Sequence, residues 1–306
     1  MAAVRRAAVI GTGTMGPGMG AVLARAGIET ALYDVSPEAL ERAKGGAELA
    51  ASVLERLDAA KEEGGSLRFE SDLGAALEGA DFVIEAVPEK LELKHEVFKQ
   101  FEQAVAPETV LASNTSGIPI TKIAEVCEHQ GRVVGMHWSN PPHLIPMIEV
   151  IPGEQTAQEA VDATAELVRR VGYHPVQERE VPGFVENRIL YAILRECLDL
   201  VDRGIISPEG LDLNVRWGIG YKLAVIGPME LLDMAGLDIY NAVGSYLNKD
   251  LSTSGDVSST IREKIDEGRL GMKTGGGIYD YTPEQIDELR AQRAGKLVAV
   301  RKALEG

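Results

Sequence analysis

The chain has 306 residues, of which 45% are hydrophobic and 25% are charged. This composition is typical of a globular protein of about two domains, and it excludes collagen-like, disordered and disulfide-framework proteins. Lys and Arg number 31 against 47 Asp and Glu, so the net charge is −16. Because so acidic a chain repels phosphate backbones and anionic lipids, we expect no nucleic-acid or membrane partner.

The two cysteines, Cys127 and Cys197, lack a second Cys or a His at metal-ligand spacing, so we predict neither a metal site nor a disulfide. The first apolar run, 7–10, has the length of a strand and leads into glycines, unlike a signal peptide. No run of about 20 apolar residues could span a bilayer. These features predict a cytoplasmic protein.

Short apolar runs alternate with helix-period segments through the first 180 residues, which predicts an α/β domain with a doubly wound, mostly parallel sheet. The predicted strands are 7–10, 30–33, 82–85, 110–112, 132–137, 147–151 and 174–177, and 67–70 could add a short edge strand. The predicted helices are 15–26, 37–60, 91–104, 120–128 and 157–170.

Strand signals end near residue 182, and the rest of the chain reads as an all-α domain. The segment 185–201 is apolar nearly all round, which predicts a buried helix. Further helices are predicted at 207–217, 229–247 and 283–304. We therefore predict an α/β domain over 1–182 and a helical domain over 183–306. The glycine-rich run 271–277 could be an ordinary flexible turn.

The segment Gly11–Gly16 fits the pattern G-x-G-x-x-G between a predicted strand and an apolar helix. There the first glycine permits a tight turn, the second lets the backbone approach a pyrophosphate, and the third lets the helix pack on the strand. Asp34 ends the second strand, where a carboxylate binds ribose hydroxyls and repels a 2′-phosphate. We predict a Rossmann-type domain that binds NAD rather than NADP through these residues: Gly11, Gly13, Thr14, Met15, Gly16 and Asp34.

His137 lies at the end of a predicted strand, where open α/β sheets bind their ligands. Glu149 lies inside an apolar strand, where a charge is costly unless it is paired. A His137–Glu149 pair would satisfy that charge, fix the imidazole tautomer and raise its basicity, as an acid/base group requires. A glutamate that faces water from an edge strand is the alternative. The polar run 113–116 ends another strand and could bind a substrate oxygen, although ordinary turn chemistry explains it as well.

Taken together and in this order, the motifs resemble the 3-hydroxyacyl-CoA dehydrogenase family over essentially the whole chain. The resemblance rests on six groups of residues: Gly11–Gly16; Ser113–Ser116; Gly135–His137 with Asn140-Pro141; Pro182–Phe184 with Asn187-Arg188; Gly227-Pro228 with Leu231–Asp233; and Lys273–Gly275 with Gly277. It implies an NAD-dependent enzyme of two domains, whose helical domain forms a homodimer.

The resemblance also implies residue roles. His137 matches the family's proton-transfer residue and Glu149 its partner. Ser116 and Asn187 match the residues that hold the substrate oxygen, and Glu89 and Lys94 those near the nicotinamide and its ribose. We also place Asn114 in the cofactor site.

The segment after His137 departs from the acyl-CoA members, which usually have two aromatic residues where this chain has Trp138-Ser139. Here, at 182–188 and at 219–222, the chain is similar to a branch of the family that acts on a small pyridine carboxylate. We expect Trp138, Ser139, Asn140 and His143 to line the substrate pocket, with His143 and Arg188 offering positive charge to a carboxylate.

The segment between the second strand and Asp72, where acyl-CoA members carry basic residues, has no basic excess here. The sequence therefore favours a small carboxylated alcohol or aldehyde as the substrate of a hydride transfer. Two alternatives stay open: a 3-hydroxyacyl-CoA substrate, and a non-catalytic NAD-binding protein similar to the lens crystallins of the wider family.

Overall fold

The computed structural model describes residues 3–305. The chain divides into two compact units, Met1–Asn187 and Arg188–Gly306. None of the helices in the described part combines the length and apolar character that a membrane span needs.

The first unit is built on one eight-stranded sheet in the order β3-β2-β1-β4-β5-β6-β7-β8. Strands β1 to β6 are parallel, β7 is antiparallel to β6, and β8 is parallel to β7. The mostly parallel sheet predicted from the sequence is confirmed, and the segment expected at its edge is β3. The strands are β1 (Arg6–Ile10), β2 (Glu29–Tyr33), β3 (Ser66–Glu70), β4 (Phe82–Glu85), β5 (Val110–Ser113), β6 (Val133–Trp138), β7 (Met147–Pro152) and β8 (His174–Gln177).

Helices cover both faces of this sheet, which is why its central strands are apolar without alternation. The helices of the first unit are α1 (Gly16–Arg25), α2 (Pro37–Arg56), α3 (Leu73–Leu77), α4 (Leu91–Ala104), α5 (Ile120–Ala124) and α6 (Gln158–Arg170). Side chains of α1, α2 and α6 join the core on one face, and those of α3, α4 and α5 join the core on the other.

Two predicted helices of this unit are shorter than expected. Helix α2 ends at Arg56, because the chain turns at Asp58, whose φ is +54°, and runs back along α1. There the Arg25 guanidinium donates hydrogen bonds to the Ala59 carbonyl oxygen. Helix α5 ends at Ala124, and the turn after it is held by the Glu102 carboxylate. Helix α3, which the sequence did not predict, begins at the cap Asp72.

A long helix, α7 (Phe184–Asp202), begins in the first unit and continues into the second. The remaining helices of the second unit are α8 (Pro208–Asn214), α9 (Tyr221–Leu223), α10 (Pro228–Ala235), α11 (Leu237–Leu247), α12 (Ser259–Asp266) and α13 (Pro283–Glu305). A π-helical stretch, Val215–Gly220, joins α8 to α9. Helix α12 lies where no helix was predicted.

One expectation for the helical part is wrong, and another is not met within the single chain. The segment 229–247 is not one helix, because Gly236 has a φ of +97° and separates α10 from α11. The helix predicted as buried at 185–201 is largely exposed in the single chain: Phe184 is the one buried residue of α7, and Tyr191 is 68% exposed. An apolar sequence indicates that its side chains favour burial. It does not indicate which surface covers them.

The glycine-rich segment 271–277 forms a tight turn rather than a loose one. Gly271 and Gly276 exchange two backbone hydrogen bonds, and the Arg269 guanidinium donates to the Gly277 carbonyl oxygen. A Cβ on Gly277 would lie 2.8 Å from the Gly271 Cα, so the turn needs glycine for close packing.

Candidate active site

The glycine loop between β1 and α1 has the shape that a dinucleotide requires. A Cβ on Gly11, whose φ is +111°, would lie 2.5 Å from the Ala86 carbonyl oxygen, and a Cβ on Gly16 would lie 2.2 Å from that of Gly11. These two glycines are therefore required for packing. A Cβ on Gly13, in contrast, would meet no described atom within 4 Å, which leaves this stretch of backbone open to a ligand.

Helix α1 offers an N-terminus suited to a phosphate. Among residues 3–305, no side chain caps it, and its first turn carries no acidic residue. Unsatisfied backbone N–H groups and the positive end of the helix dipole favour an anion at such a terminus. The loop and α1 together fit the pyrophosphate of NAD.

Asp34 lies directly beside this loop. One carboxylate oxygen accepts hydrogen bonds from the Thr12 N–H, at 2.9 Å, and from the Thr12 hydroxyl, at 2.8 Å, while the other accepts from the Ser36 N–H. Burial opposes ionisation, but these hydrogen bonds and the charge of Arg42 outweigh it and hold the pKa of Asp34 below its ordinary value. The loop therefore has a fixed negative charge next to it, which disfavours a second phosphate such as that of NADP.

His137 and Glu149 are opposite each other on β6 and β7. The imidazole Nδ1 lies 2.6 Å from a carboxylate oxygen of Glu149, and both residues are buried. A carboxylate at this distance holds the proton on Nδ1 and leaves Nε2 as the basic nitrogen. The water-facing alternative for Glu149 is excluded by its burial, since the residue is 1% exposed.

The other oxygen of Glu149 caps the N-terminus of α7. It accepts hydrogen bonds from the N–H groups of Glu186, at 2.7 Å, and Val185, at 3.1 Å. Burial disfavours the charge, yet the hydrogen bonds from His137 and the α7 backbone outweigh it and lower the pKa of Glu149. Glu149 is thus held ionised behind the imidazole, where it can stabilise an imidazolium.

The start of α7 is a strained turn that aims these N–H groups at Glu149. Gly183 has a φ of +78° and Phe184 one of +50°, a region that a bulky residue rarely adopts. Phe184 is completely buried, and its ring centroid lies 5.8 Å from that of His137. The Pro182-Gly183-Phe184 motif therefore leads from the last strand into α7 and packs the Phe184 ring against the imidazole.

Ser139 and Glu186 form a second polar pair beside His137. The Ser139 hydroxyl donates to the Glu186 carboxylate at 2.5 Å. Polar atoms of His137, Glu149 and Glu186 lie within 4.8 Å of one another, a grouping that could hold a cation. The hydrogen bonds of these three side chains already explain why they lie together, and we assign no metal to the grouping.

A third network joins the ends of β4 and β5. The Lys94 ammonium is buried and contacts both oxygens of Glu85, at 2.7 and 2.8 Å, and a Glu89 oxygen at 3.1 Å. Glu89 also accepts hydrogen bonds from the Thr115 hydroxyl and the Ser116 N–H. Glu89, Lys94 and Ser116 thus belong to one cluster.

Asn187 reaches the same cluster, since its side-chain amide donates to the Ser116 carbonyl oxygen at 3.0 Å. Asn114 bridges two strand ends: its side-chain oxygen accepts from the Trp138 N–H at 2.9 Å. Asn140 precedes a cis proline directly after β6 and Ser139.

Two expectations for the substrate pocket do not fit the structure. Trp138 is 2% exposed and packs edge-on against Tyr173 in the core, on the sheet face opposite that of its neighbour His137. Its ring therefore does not form a wall beside the imidazole. Burial lowers the pKa of His143, which disfavours the positive charge that we expected it to offer to a carboxylate. A Cβ on Gly18 would lie 3.0 Å from the His143 Nδ1, which places the ring against α1.

Glu85, Glu178 and Glu186 belong to these networks, and the sequence analysis did not select them. Glu178 follows β8 within a charged run that is typical of a solvated surface. Only the pairing of β8 with β7 brings it to Glu149. Glu186 could have been found from its position three residues after Gly183, in the first turn of a helix.

Comparisons with known proteins agree with this geometry. The family models of the 3-hydroxyacyl-CoA dehydrogenase NAD binding domain and C-terminal domain match residues 6–181 and 183–281. The chain is 54% identical to the 5-formyl-3-hydroxy-2-methylpyridine 4-carboxylate 5-dehydrogenase of Mesorhizobium japonicum, with 99% of each chain covered. It is 36% identical to a probable 3-hydroxybutyryl-CoA dehydrogenase of Deinococcus radiodurans, over 89% of this chain and 99% of that one.

Solved structures give the same relationship. A crystal structure of a 5-formyl-3-hydroxy-2-methylpyridine 4-carboxylic acid 5-dehydrogenase, described as an NAD⁺-dependent dismutase, superimposes with a TM-score of 0.97 at 54% identity, with 99% of each chain covered. The (S)-3-hydroxybutyryl-CoA dehydrogenase from Ralstonia eutropha gives 0.73 at 31% identity, over 92% of this chain and all of that one. The chain therefore belongs to the 3-hydroxyacyl-CoA dehydrogenase family and is an NAD-dependent dehydrogenase.

Proposed function

We propose that this enzyme oxidises the formyl group of 5-formyl-3-hydroxy-2-methylpyridine-4-carboxylate, or of a closely similar pyridine, to a carboxylate. The sequence relationship at 54% identity over both full lengths supports this substrate. The single structural observation that carries the proposal is the Ser139–Glu186 pair beside His137. It gives the base a polar neighbour where acyl-CoA members of the family usually have an aromatic ring.

In the proposed reaction, the aldehyde reacts as its hydrate, R-CH(OH)₂. His137 takes the proton of one hydroxyl through Nε2, and the carbon loses a hydride, so that R-COOH and NADH form and one proton is released. NAD, when bound, supplies the hydride acceptor. Glu149 stabilises the imidazolium, and Ser116 and Asn187 hold the substrate oxygen.

The proposed cofactor contacts are the backbone of the glycine loop for the pyrophosphate and Asp34 for the adenosine ribose. Glu89, Lys94 and Asn114 would contact the nicotinamide end. Their hydrogen bonds to one another and to neighbouring strands hold these side chains in fixed positions without a ligand, as precise positioning of a cofactor requires.

The charge distribution on α2 and β3 favours the small substrate over a CoA ester. Lys44 and Arg68 are paired with Glu41 and Glu70 on the same surface. A patch that binds the CoA phosphates needs cations that acidic neighbours do not neutralise. A 3-hydroxyacyl-CoA is therefore the second candidate.

We also propose that the enzyme is a cytoplasmic homodimer. Both cysteines are free, as is usual in a reducing compartment. Among residues 188–305, Val298 is the one buried residue that has an apolar side chain. A unit with so little core needs another surface to cover its apolar side chains.

The test of the substrate is a comparison of kcat/KM for the pyridine aldehyde with NAD and for acetoacetyl-CoA with NADH, in one buffer, by absorbance of NADH. We expect the aldehyde to be preferred by at least about tenfold, equivalent to about 1.4 kcal/mol. Ser139→Ala should lower kcat/KM for the aldehyde while NADH affinity stays unchanged. A preference for acetoacetyl-CoA would instead assign the enzyme to acyl-CoA metabolism.

A further inference from the structure

The carboxyl group of Glu178 lies against that of Glu149, on the side away from His137. Both groups accept the same backbone N–H, that of Val185, each at 3.1 Å. Strand pairing causes this approach: Glu149 is opposite Val176 in the β7–β8 register, and Glu178, two residues further along, points to the same face of the sheet. The Glu178 N–H continues the ladder by donating to the Val150 carbonyl oxygen.

Two carboxyl groups in this position need a proton between them. The second oxygen of Glu178, Oε2, is buried and accepts no hydrogen bond from any described residue. A buried carboxylate oxygen without a donor is costly, whereas a protonated carboxyl group can itself donate to its neighbour. Glu149 is the neighbour that can accept, because its own charge is held by His137 and α7.

The acidities of the two groups agree with this arrangement. Burial, followed by the negative charge of Glu149, raises the pKa of Glu178 to about 7, while the pKa of Glu149 is lowered. The proton of this pair therefore resides on Glu178.

We propose that Glu178 is a positioning residue that holds a proton against Glu149 and so controls how much negative charge lies behind His137. This proposal rests on the proposed role of His137 as the base. With its proton, Glu178 donates to Glu149 and leaves one negative charge in the pair. Without that proton, the Glu149–Glu178 pair carries two negative charges. The second negative charge favours a protonated imidazole.

Two ionisable side chains act on Glu178 through their charge: Glu149 on β7 raises its pKa, and His137 on β6 lowers it. Glu186 is turned towards Ser139, and Glu180, two residues along the chain from Glu178, accepts the Thr121 N–H. Glu149 is thus the partner with which Glu178 shares its proton. A proton that arrives at His137 from the substrate makes Glu178 more acidic, so the two proton sites are coupled.

The test is an NMR titration of the protein without cofactor or substrate, with its histidines ¹³C-labelled at Cε1. The chain has five histidines, and loss of one signal in His137→Gln assigns that of His137. In the wild type, we expect the His137 signal to show, besides the change caused by protonation of its own ring, a second step near pH 7 that reports the ionisation of Glu178. In Glu178→Gln, whose amide imitates the protonated group and can still donate to Glu149, that step should be lost.

Glu180→Gln is the matched control, because it removes a nearby glutamate that does not contact Glu149, and it should keep the step. Signals of the other four histidines report whether Glu178→Gln folds as the wild type does, and Glu178→Asp is the second variant if it does not. A wild-type His137 signal that lacks this second step, or a second step that survives in Glu178→Gln, overturns the proposal. Since no substrate is present, failure of the pyridine aldehyde in the activity assay leaves this result unaffected.

Discussion

At the scale of single residues, the site contains two carboxylates, one buried and one half-buried, that are each held by backbone N–H groups. Glu149 accepts from the first turn of α7 and from His137, and Asp34 accepts from the glycine loop and from Ser36. Such donors stabilise the ionised form, so each carboxylate keeps its charge at neutral pH. One of these charges lies beside the imidazole, and we propose that the other selects the ribose of the cofactor.

We expect His137→Gln to bind NADH as the wild type does and to lower kcat by about 10²–10⁴, the usual contribution of a general acid–base group. Glu149→Gln should lower kcat less, because a base remains although its orientation is weaker. The measurement is steady-state turnover together with NADH fluorescence titration. His174→Gln, which changes an exposed histidine on β8, is the control. If His137→Gln retained more than about a tenth of the turnover, the proton would be transferred by another group.

At the scale of elements, the β1–α1 connection contains two glycines that packing requires and a third that packing does not require. Gly11 and Gly16 leave no space for a Cβ because carbonyl oxygens lie 2.5 and 2.2 Å away. Gly13 leaves open space. The motif therefore requires close packing at Gly11 and Gly16 and leaves open space at Gly13, and single substitutions can test these two features separately.

Gly16→Ala should lower the free energy of unfolding by about 1–3 kcal/mol, the cost of overpacking. Gly13→Ala should leave the free energy of unfolding within about 0.5 kcal/mol of the wild type. It should nevertheless weaken NADH binding, because its methyl group would occupy the space that the pyrophosphate needs. Denaturant unfolding and NADH titration measure the two effects. Full NADH affinity in Gly13→Ala would show that the pyrophosphate does not approach the loop there.

At the scale of the whole molecule, apolar surface is distributed unequally between the two units. The first unit has two cores, one on each face of its sheet, whereas the second exposes large apolar side chains such as Trp217 at 64% and Met234 at 76%. Isolated exposed apolar residues are ordinary, but a helical unit with almost no buried ones is not. This imbalance supports association through the helical unit.

We expect static light scattering at micromolar concentration to give a mass twice that of one chain. Because association and folding are then linked, the Tm should also rise with protein concentration. Either a monomeric mass or a Tm that does not depend on concentration would contradict the proposed homodimer.

The sequence by itself determined the local features of this protein. The strands of the sheet, the glycine loop and Asp34 follow from patterns within a few residues, because the periodicity of hydrophobic residues and the residue preferences of turns are local properties. The His137–Glu149 pair also followed from sequence, since an acid inside an apolar strand requires a partner. The resemblance to a known family added residues that no spacing rule would select, such as Asn187.

Only the tertiary structure decided which side chains meet. The direction of the Trp138 ring depends on the face of β6 on which it falls, and the burial of His143 depends on α1 packing beside it. Glu178 reaches Glu149 because β8 pairs with β7, and Glu186 does so because α7 begins there. Strand order and helix placement are set by long-range packing, which a local pattern does not encode. The carboxylate contacts around His137 are therefore properties of the fold.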